Sequence, residues 1–120
     1  MYAEVLVSSI LSIAQSGLQV ASLQLAVSAN DVANVGTDGF APSHVEAQEV
    51  RSGGVTGSAV KQNDPQFEAR LDRALVGASR TDLVQETVSQ SVAAASFGAN
   101  LATLQTADEL FGTLLELRKP

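Results

Sequence analysis

A chain of 120 residues makes one domain, and its 45% hydrophobic content leans on Ala and Val, with only 4% aromatics and no Trp to fill an interior. The net charge of −6, with seven basic residues scattered along the sequence, excludes a phosphate-binding surface, so nucleic acid is not an expected partner. The absence of Cys excludes a disulfide framework, a thiolate metal site and a Cys nucleophile.

Charge divides the chain into three parts. Val5 to Asn30 and Thr87 to Ala107 carry none, and the stretch between them holds most of it. The expected organisation is an N-terminal helical arm over residues 1–35, a central hairpin and loop segment over 36–80, and a C-terminal helical arm over 81–120, together one domain.

In the first arm, Leu11, Ala14, Leu18, Ala21, Leu25, Ser28, Val32 and Val35 recur with alternating spacings of three and four. That spacing predicts a helix over 8–35 whose continuous seam supercoils left-handedly against a partner. Its other faces carry Ser9, Ser12, Gln15, Ser16, Gln19, Ser22 and Gln24 where a solvated helix presents Lys and Glu, and Ile13, Val20, Leu23 and Val27 lie off the seam. Contact from neighbouring chains on several sides is the expectation. The first 35 residues contain no Lys or Arg, so the basic n-region of a cleaved secretory signal is missing. Val5 to Asn30 is long enough to span a bilayer, yet ten of its residues are Ser, Gln or Asn, and no membrane span is expected.

The arm ends in ANDVANVGTDGF, residues 29–40. Asn30 and Asn34 lie together beside the seam, where their amides are expected to bond to adjacent helices and fix register. Gly36 is expected to cap the helix in the left-handed conformation, and Thr37, Asp38 and Gly39 to turn the chain so that Phe40 anchors the middle segment.

The middle alternates: Val45, Ala47 and Glu49 on one side of a strand, His44, Glu46 and Gln48 on the other. With a turn at Arg51–Gly54 and a return strand from Val55 to Gln62, it reads as an exposed, outward-facing β-hairpin. Asp64 and Pro65 resemble the N-cap and first position of a short helix over 65–75 carrying Phe67, Leu71 and Leu75.

The last arm predicts a helix over 82–118. One stripe is Val84, Val88, Val92, Ala95, Ala99 and Ala102, and a second, rotated stripe is Leu104, Ala107, Phe111 and Leu114. Ser79 or Thr81 is the expected N-cap, with Asp82 and Glu86 in the first turns and Arg118 and Lys119 at the end, as the helix dipole favours. Small residues from Ala93 to Ala99 allow close backbone approach. The fold class is therefore mainly α, two long terminal helices with a small β-hairpin insertion between them.

Reaction chemistry finds no constellation. His44 stands alone in a polar segment, and the acidic pairs Asp108/Glu109 and Glu46/Glu49 lack the Asp/Asn-Gly loop or His ligands of a metal site. Gly53, Gly54 and Gly57 have no strand-then-helix context or P-loop Lys and are turn residues. No catalytic residue, cofactor or metal is expected, and the chain is not expected to be an enzyme.

Ala29 to Phe40 resembles the signature A-N-N-[IV]-A-N-[VA]-N-T-x-G-[FY] of bacterial flagellar rod and hook proteins, and Ala14 to Ala21 is similar to the family's A-x-S-G-L-x-A-A. Asp82 to Glu86 resembles its V-D-L-V-E-E-M, Ala99-Asn100 its E-A-N, and Gln105 to Leu110 its Q-T-A-D-E-M. The resemblance covers roughly residues 8–40 and 79–118, and the short length is most like a proximal rod protein. Asp31 replaces the second Asn of the doublet, Gly36 the Asn before Thr, Arg80 and Thr81 the usual Asn-Val, and Ser96-Phe97-Gly98 a bulkier run.

The resemblance implies terminal helices that pair as an antiparallel coiled coil and stack with those of other subunits around a hollow axis, with export through the flagellar type III apparatus and no cleaved signal. It implies as partners other copies of the chain, neighbouring rod proteins and the export apparatus, in the periplasmic rod of the basal body. The residues named in the seam and stripes, with Asn30, Asn34 and Asn100, are then the expected assembly interface. Ordering the two arms costs conformational entropy, so the isolated monomer is expected to be partly disordered and to fold on assembly. The alternative is a stand-alone helical adaptor or chaperone-like protein of the same export system.

Overall fold

The computed structural model describes residues 2–62 and 79–119. Helix α1 runs Tyr2–Ala33, strands β1 and β2 run Ser43–Glu49 and Val55–Lys61, and helix α2 runs Leu83–Leu117. The short helix expected over 65–75 lies outside the described residues.

The two helices are roughly 48 and 53 Å long at 1.5 Å per residue, and they pack antiparallel. Ion pair Glu4–Arg118 joins their outer ends at 2.9 Å, and the Ser28 hydroxyl donates to the Glu86 carbonyl at 3.3 Å near the hairpin. Helix α1 begins six residues before the heptad seam predicts, because Tyr2 to Val7 contains no Gly or Pro and Glu4 sits in the first turn, where the dipole favours it. Val7 extends the packed seam by one further step.

Midway, the backbones come together. A Cβ built on Gly17 would lie 2.6 Å from the Asn100 carboxamide nitrogen, so only glycine leaves room for that side chain. Asn100 lies across the crossing and donates to the Ser96 carbonyl at 2.9 Å. Ala14 and Ala21 on one helix and Ala93 and Ala107 on the other are the buried residues around it.

Asp82 caps α2, not Ser79 or Thr81: its carboxylate accepts from the Val84 and Gln85 N–H groups at 2.9 and 3.3 Å. The Ser79 hydroxyl donates to Thr81 Oγ1, and Thr81 donates to the Asp31 carbonyl. Arg118 is at the C-cap of α2.

Strands β1 and β2 pair antiparallel from Ser43↔Lys61 to Glu49↔Val55, and Gly53 and Gly54 take positive φ in the connecting turn. The hairpin does not project outward as its alternation predicts. It lies along α1: a Cβ on Gly57 would meet Val20 at 3.3 Å, and the Val55 N–H donates to the Ser16 hydroxyl at 3.1 Å. The off-seam residues Ile13 and Val20 are the reason, since they form a second apolar flank that the strand face can cover.

Gly36 does not have positive φ; among these turn residues Gly39 does, at 72°. The last carbonyls of α1 are satisfied differently: the Asn34 side chain and N–H both donate to the Asn30 carbonyl, and Thr81 reaches Asp31.

Gly17→Ala is expected to lower the melting temperature even though Ala favours a helix by about 1 kcal/mol over Gly. Adding Asn100→Ala in the same chain relieves the overlap, so the double variant should melt above Gly17→Ala. Differential scanning calorimetry of the two variants checks the coupling.

Candidate functional site

The residues of the first seam divide by burial. Ala14, Ala21 and Ser28 are buried and Leu11, Leu18 and Val32 half-buried, whereas Leu25 and Val35 are 47% and 39% exposed. The reason is that the helices cross closely on small residues, so the larger side chains of the seam lie at its margin. On α2 the packed face is Glu86, Gln90, Ala93, Ser96, Asn100, Leu104, Ala107 and Leu114, which takes in most of the second predicted stripe; Phe111 is 37% exposed.

The first stripe lies beside the packed face of α2, and its Val88 and Val92 line a cavity with Gln24, Val27 and Ser28 of α1 and Ser43, His44 and Val45 of the hairpin. Val84, Val88 and Val92 are 74%, 58% and 56% exposed, and Ala95, Ala99 and Ala102 are also exposed. Sequence spacing identified a continuous apolar row correctly and left open what it meets. In the single chain its three valines remain more than half exposed.

A second apolar surface lies in a groove between the helices, about 460 Å3, lined by Ala21, Ser22, Leu25, Ala26 and Ala29 of α1 and Ala93, Ala94 and Phe97 of α2. Several of the hydroxyls on these helices bond back to their own helix carbonyls. Ser12 and Ser16 donate to carbonyls three residues back, and Thr87, Ser91, Thr103, Thr106 and Thr113 to carbonyls four back, at 2.6–3.1 Å.

Asn30 and Asn34 bond within the helix end, and Thr37 donates to the Asn34 carboxamide oxygen at 3.1 Å. Gly36, Thr37 and Gly39 are exposed in the turn that follows, and Phe40 is half-buried, its carbonyl accepting from the Arg80 N–H at 3.1 Å.

The residue that sequence reasoning missed is Asp31, which is fully buried. Its two carboxylate oxygens each lie 3.1 Å from the Ser43 N–H at the start of β1, and its carbonyl accepts from Thr81 just before α2. One residue thus ties the end of α1 to the starts of the hairpin and the second helix. A signal existed: Asp31 continues the flank Ile13, Val20, Val27 at helical spacing, so it falls on the face that the hairpin covers. Burial raises its pKa above the ordinary value, the Ser43 N–H partly offsets this, and the negative charge of Glu86 adds to the rise.

Among the described residues no group of three His, Asp or Glu side chains is placed to hold a metal ion. His44 Nε2 lies 3.4 Å from Glu46 Oε1, an isolated pair on the open strand face with both side chains about half exposed. No protein-family model and no curated protein matches the chain.

Because the folded state binds a proton at Asp31 more tightly than the unfolded chain does, its contribution to stability is full below about pH 3.9. It is lost as pH rises through the raised folded value. Asp31→Asn keeps an oxygen for the Ser43 N–H and removes this titration. The difference in urea midpoint between variant and wild type should therefore move in favour of the variant from pH 4 upward, as urea melts across pH 4–8 would record.

Proposed function

We propose that the chain is a non-enzymatic structural subunit of the bacterial flagellar rod. It leaves the cell through the flagellar type III apparatus and assembles in the periplasm with copies of itself and neighbouring rod proteins, its two helices building the axial tube that transmits torque. The observation that carries this is the row Val84, Val88 and Val92, more than half exposed and continuous with Ala95, Ala99 and Ala102, which from Val88 onward lies in a helix stretch without charge. Apolar surface of this continuity marks contact with another protein.

The sequence resemblance at both ends supports the particular assembly, and the antiparallel pairing of the terminal helices is what that resemblance implies. The magnitudes favour repeated contact over a single one. Burying what each of the three valines still exposes contributes roughly 1–2 kcal/mol, so one such row supplies roughly 3–6 kcal/mol. Association alone costs about 4–15 kcal/mol. A contact of this size holds only where each subunit makes several.

Helix α1 is also long and apolar enough to cross a membrane by length and composition. Its ten Ser, Gln and Asn residues between Val5 and Asn30, and its packed face against α2, favour protein neighbours over hydrocarbon.

Leu25 and Leu18 separate assembly from folding. Leu25→Asp places a charge on an exposed position and should leave the helical circular dichroism of the purified chain unchanged while abolishing motility in a strain that carries it as the sole copy. Leu18→Asp places the charge against α2 and should unfold the chain. Full motility with Leu25→Asp would remove the assignment, and a discrete, compact dimer in sedimentation would favour a stand-alone adaptor instead.

A further inference from the structure

Where the base of the hairpin meets both helices, the structure leaves a cavity of about 240 Å3. Four valines wall it, Val27 from α1, Val45 from β1, and Val88 and Val92 from α2. Sites for drug-sized ligands run to about 300–1,000 Å3, so this one has room for a short chain and little more.

Glu86 supplies the charge. Of the described residues that line the cavity it is the one acid, and none is Lys or Arg. Its backbone is engaged, the N–H donating to the Asp82 carbonyl and the carbonyl accepting from Ser28, but among the described residues its half-buried carboxylate has no hydrogen bond and no ion pair. The same charge is felt at Asp31, whose carboxylate accepts the N–H of Ser43 on the cavity wall. After burial, which acts most strongly, and against the Ser43 N–H, Glu86 also holds the Asp31 pKa up. A cation beside Glu86 relieves both acids.

The neutral lining narrows the choice further. Gln24 and Gln85 offer amide oxygens and Ser89 a hydroxyl, acceptors that a group with several N–H donors can use. An anion would meet two acids and no basic side chain of the wall. A wholly apolar ligand would take water from Glu86 and give it no partner.

We propose that this cavity binds a primary alkylammonium group, its stem against the four valines and its head at Glu86, carried either by a free amine or by a lysine side chain of a neighbouring protein. The site does not depend on the rod assignment. One bound group touches α1, β1 and α2 together, so it fastens the hairpin base to both helices and stabilises the fold by mass action.

The full chain titrated with n-butylammonium should show amide NMR shifts at Gln24, Gln85 and Ser89 that move together. The dissociation constant should lie roughly in the millimolar range, since Val88 and Ser89 leave the site open and solvent screens the charge. Each methylene added from ethyl- to butylammonium should tighten binding by up to about fourfold. Neutral n-butanol should bind about five- to tenfold more weakly. Glu86→Gln keeps the side-chain shape and should erase that preference with helical circular dichroism unchanged, whereas Val88→Ser, at an exposed position, should flatten the chain-length series. Acetyl-lysinamide separates the two sources. If it binds as well as butylammonium the source is a lysine side chain, if it is excluded while butylammonium still binds the source is a free amine, and either result supports the site. Absence of shifts in wild type, equal affinity for butanol, or an ammonium response confined to Asp108 and Glu109 overturns the proposal.

Discussion

Everything in this chain follows from how closely its two helices approach. At Gly17 the absence of a Cβ lets the Asn100 carboxamide lie against the α1 backbone, and alanines at 14, 21, 93 and 107 extend the close crossing on either side. Backbones brought together on small residues gain many dispersion contacts and little apolar area. The buried apolar residues among those described are four alanines and two valines, so the interior has no place for the Leu, Val and Phe side chains the helices also carry. Those side chains are displaced to the margins and the back, and the outward surfaces become the apolar ones.

The same displacement changes what counts as polar on these helices. Serine and threonine hydroxyls that return to their own helix carbonyls have no proton left to donate elsewhere, though their oxygens still accept, as Ser16 does from the Val55 N–H. A helix surface made this way is neutral without being greasy, which keeps it from sticking indiscriminately while leaving it free of the desolvation cost that Lys or Glu would impose on close contact.

Much of the fold was legible in the sequence, and the residues show why. The three-four spacing from Leu11 to Val32 and the alternation from His44 to Glu49 are periodic signals of one element each, and both elements formed. Direction was less legible, because periodicity reports that a row exists and not what it meets: Val84, Val88 and Val92 form as regular a row as the packed face of α2. The hairpin's docking was written in Ile13 and Val20, apolar residues off the seam, but those admit a neighbouring chain as readily as a strand of the same chain. Gly36 misled because glycine after a helix usually signals a left-handed cap, whereas here Asn34 closes the last turn with its own side chain. Asp31 was hidden by its charge, since a carboxylate is expected at the surface unless its partners are known.

Those partners give the hairpin a mechanical character. Ser16 holds its tip through the Val55 N–H, and Asp31 holds its base through the Ser43 N–H. The two anchors are fifteen residues apart on α1, about 22 Å along its axis. A ribbon pinned to a rod at both ends acts as a splint. Between these points α1 cannot bend without shearing hydrogen bonds across the ribbon, so a load applied to the hairpin or to the helix is borne by both, and the chain behaves as a stiffened strut over the stretch where its apolar faces are open to neighbours.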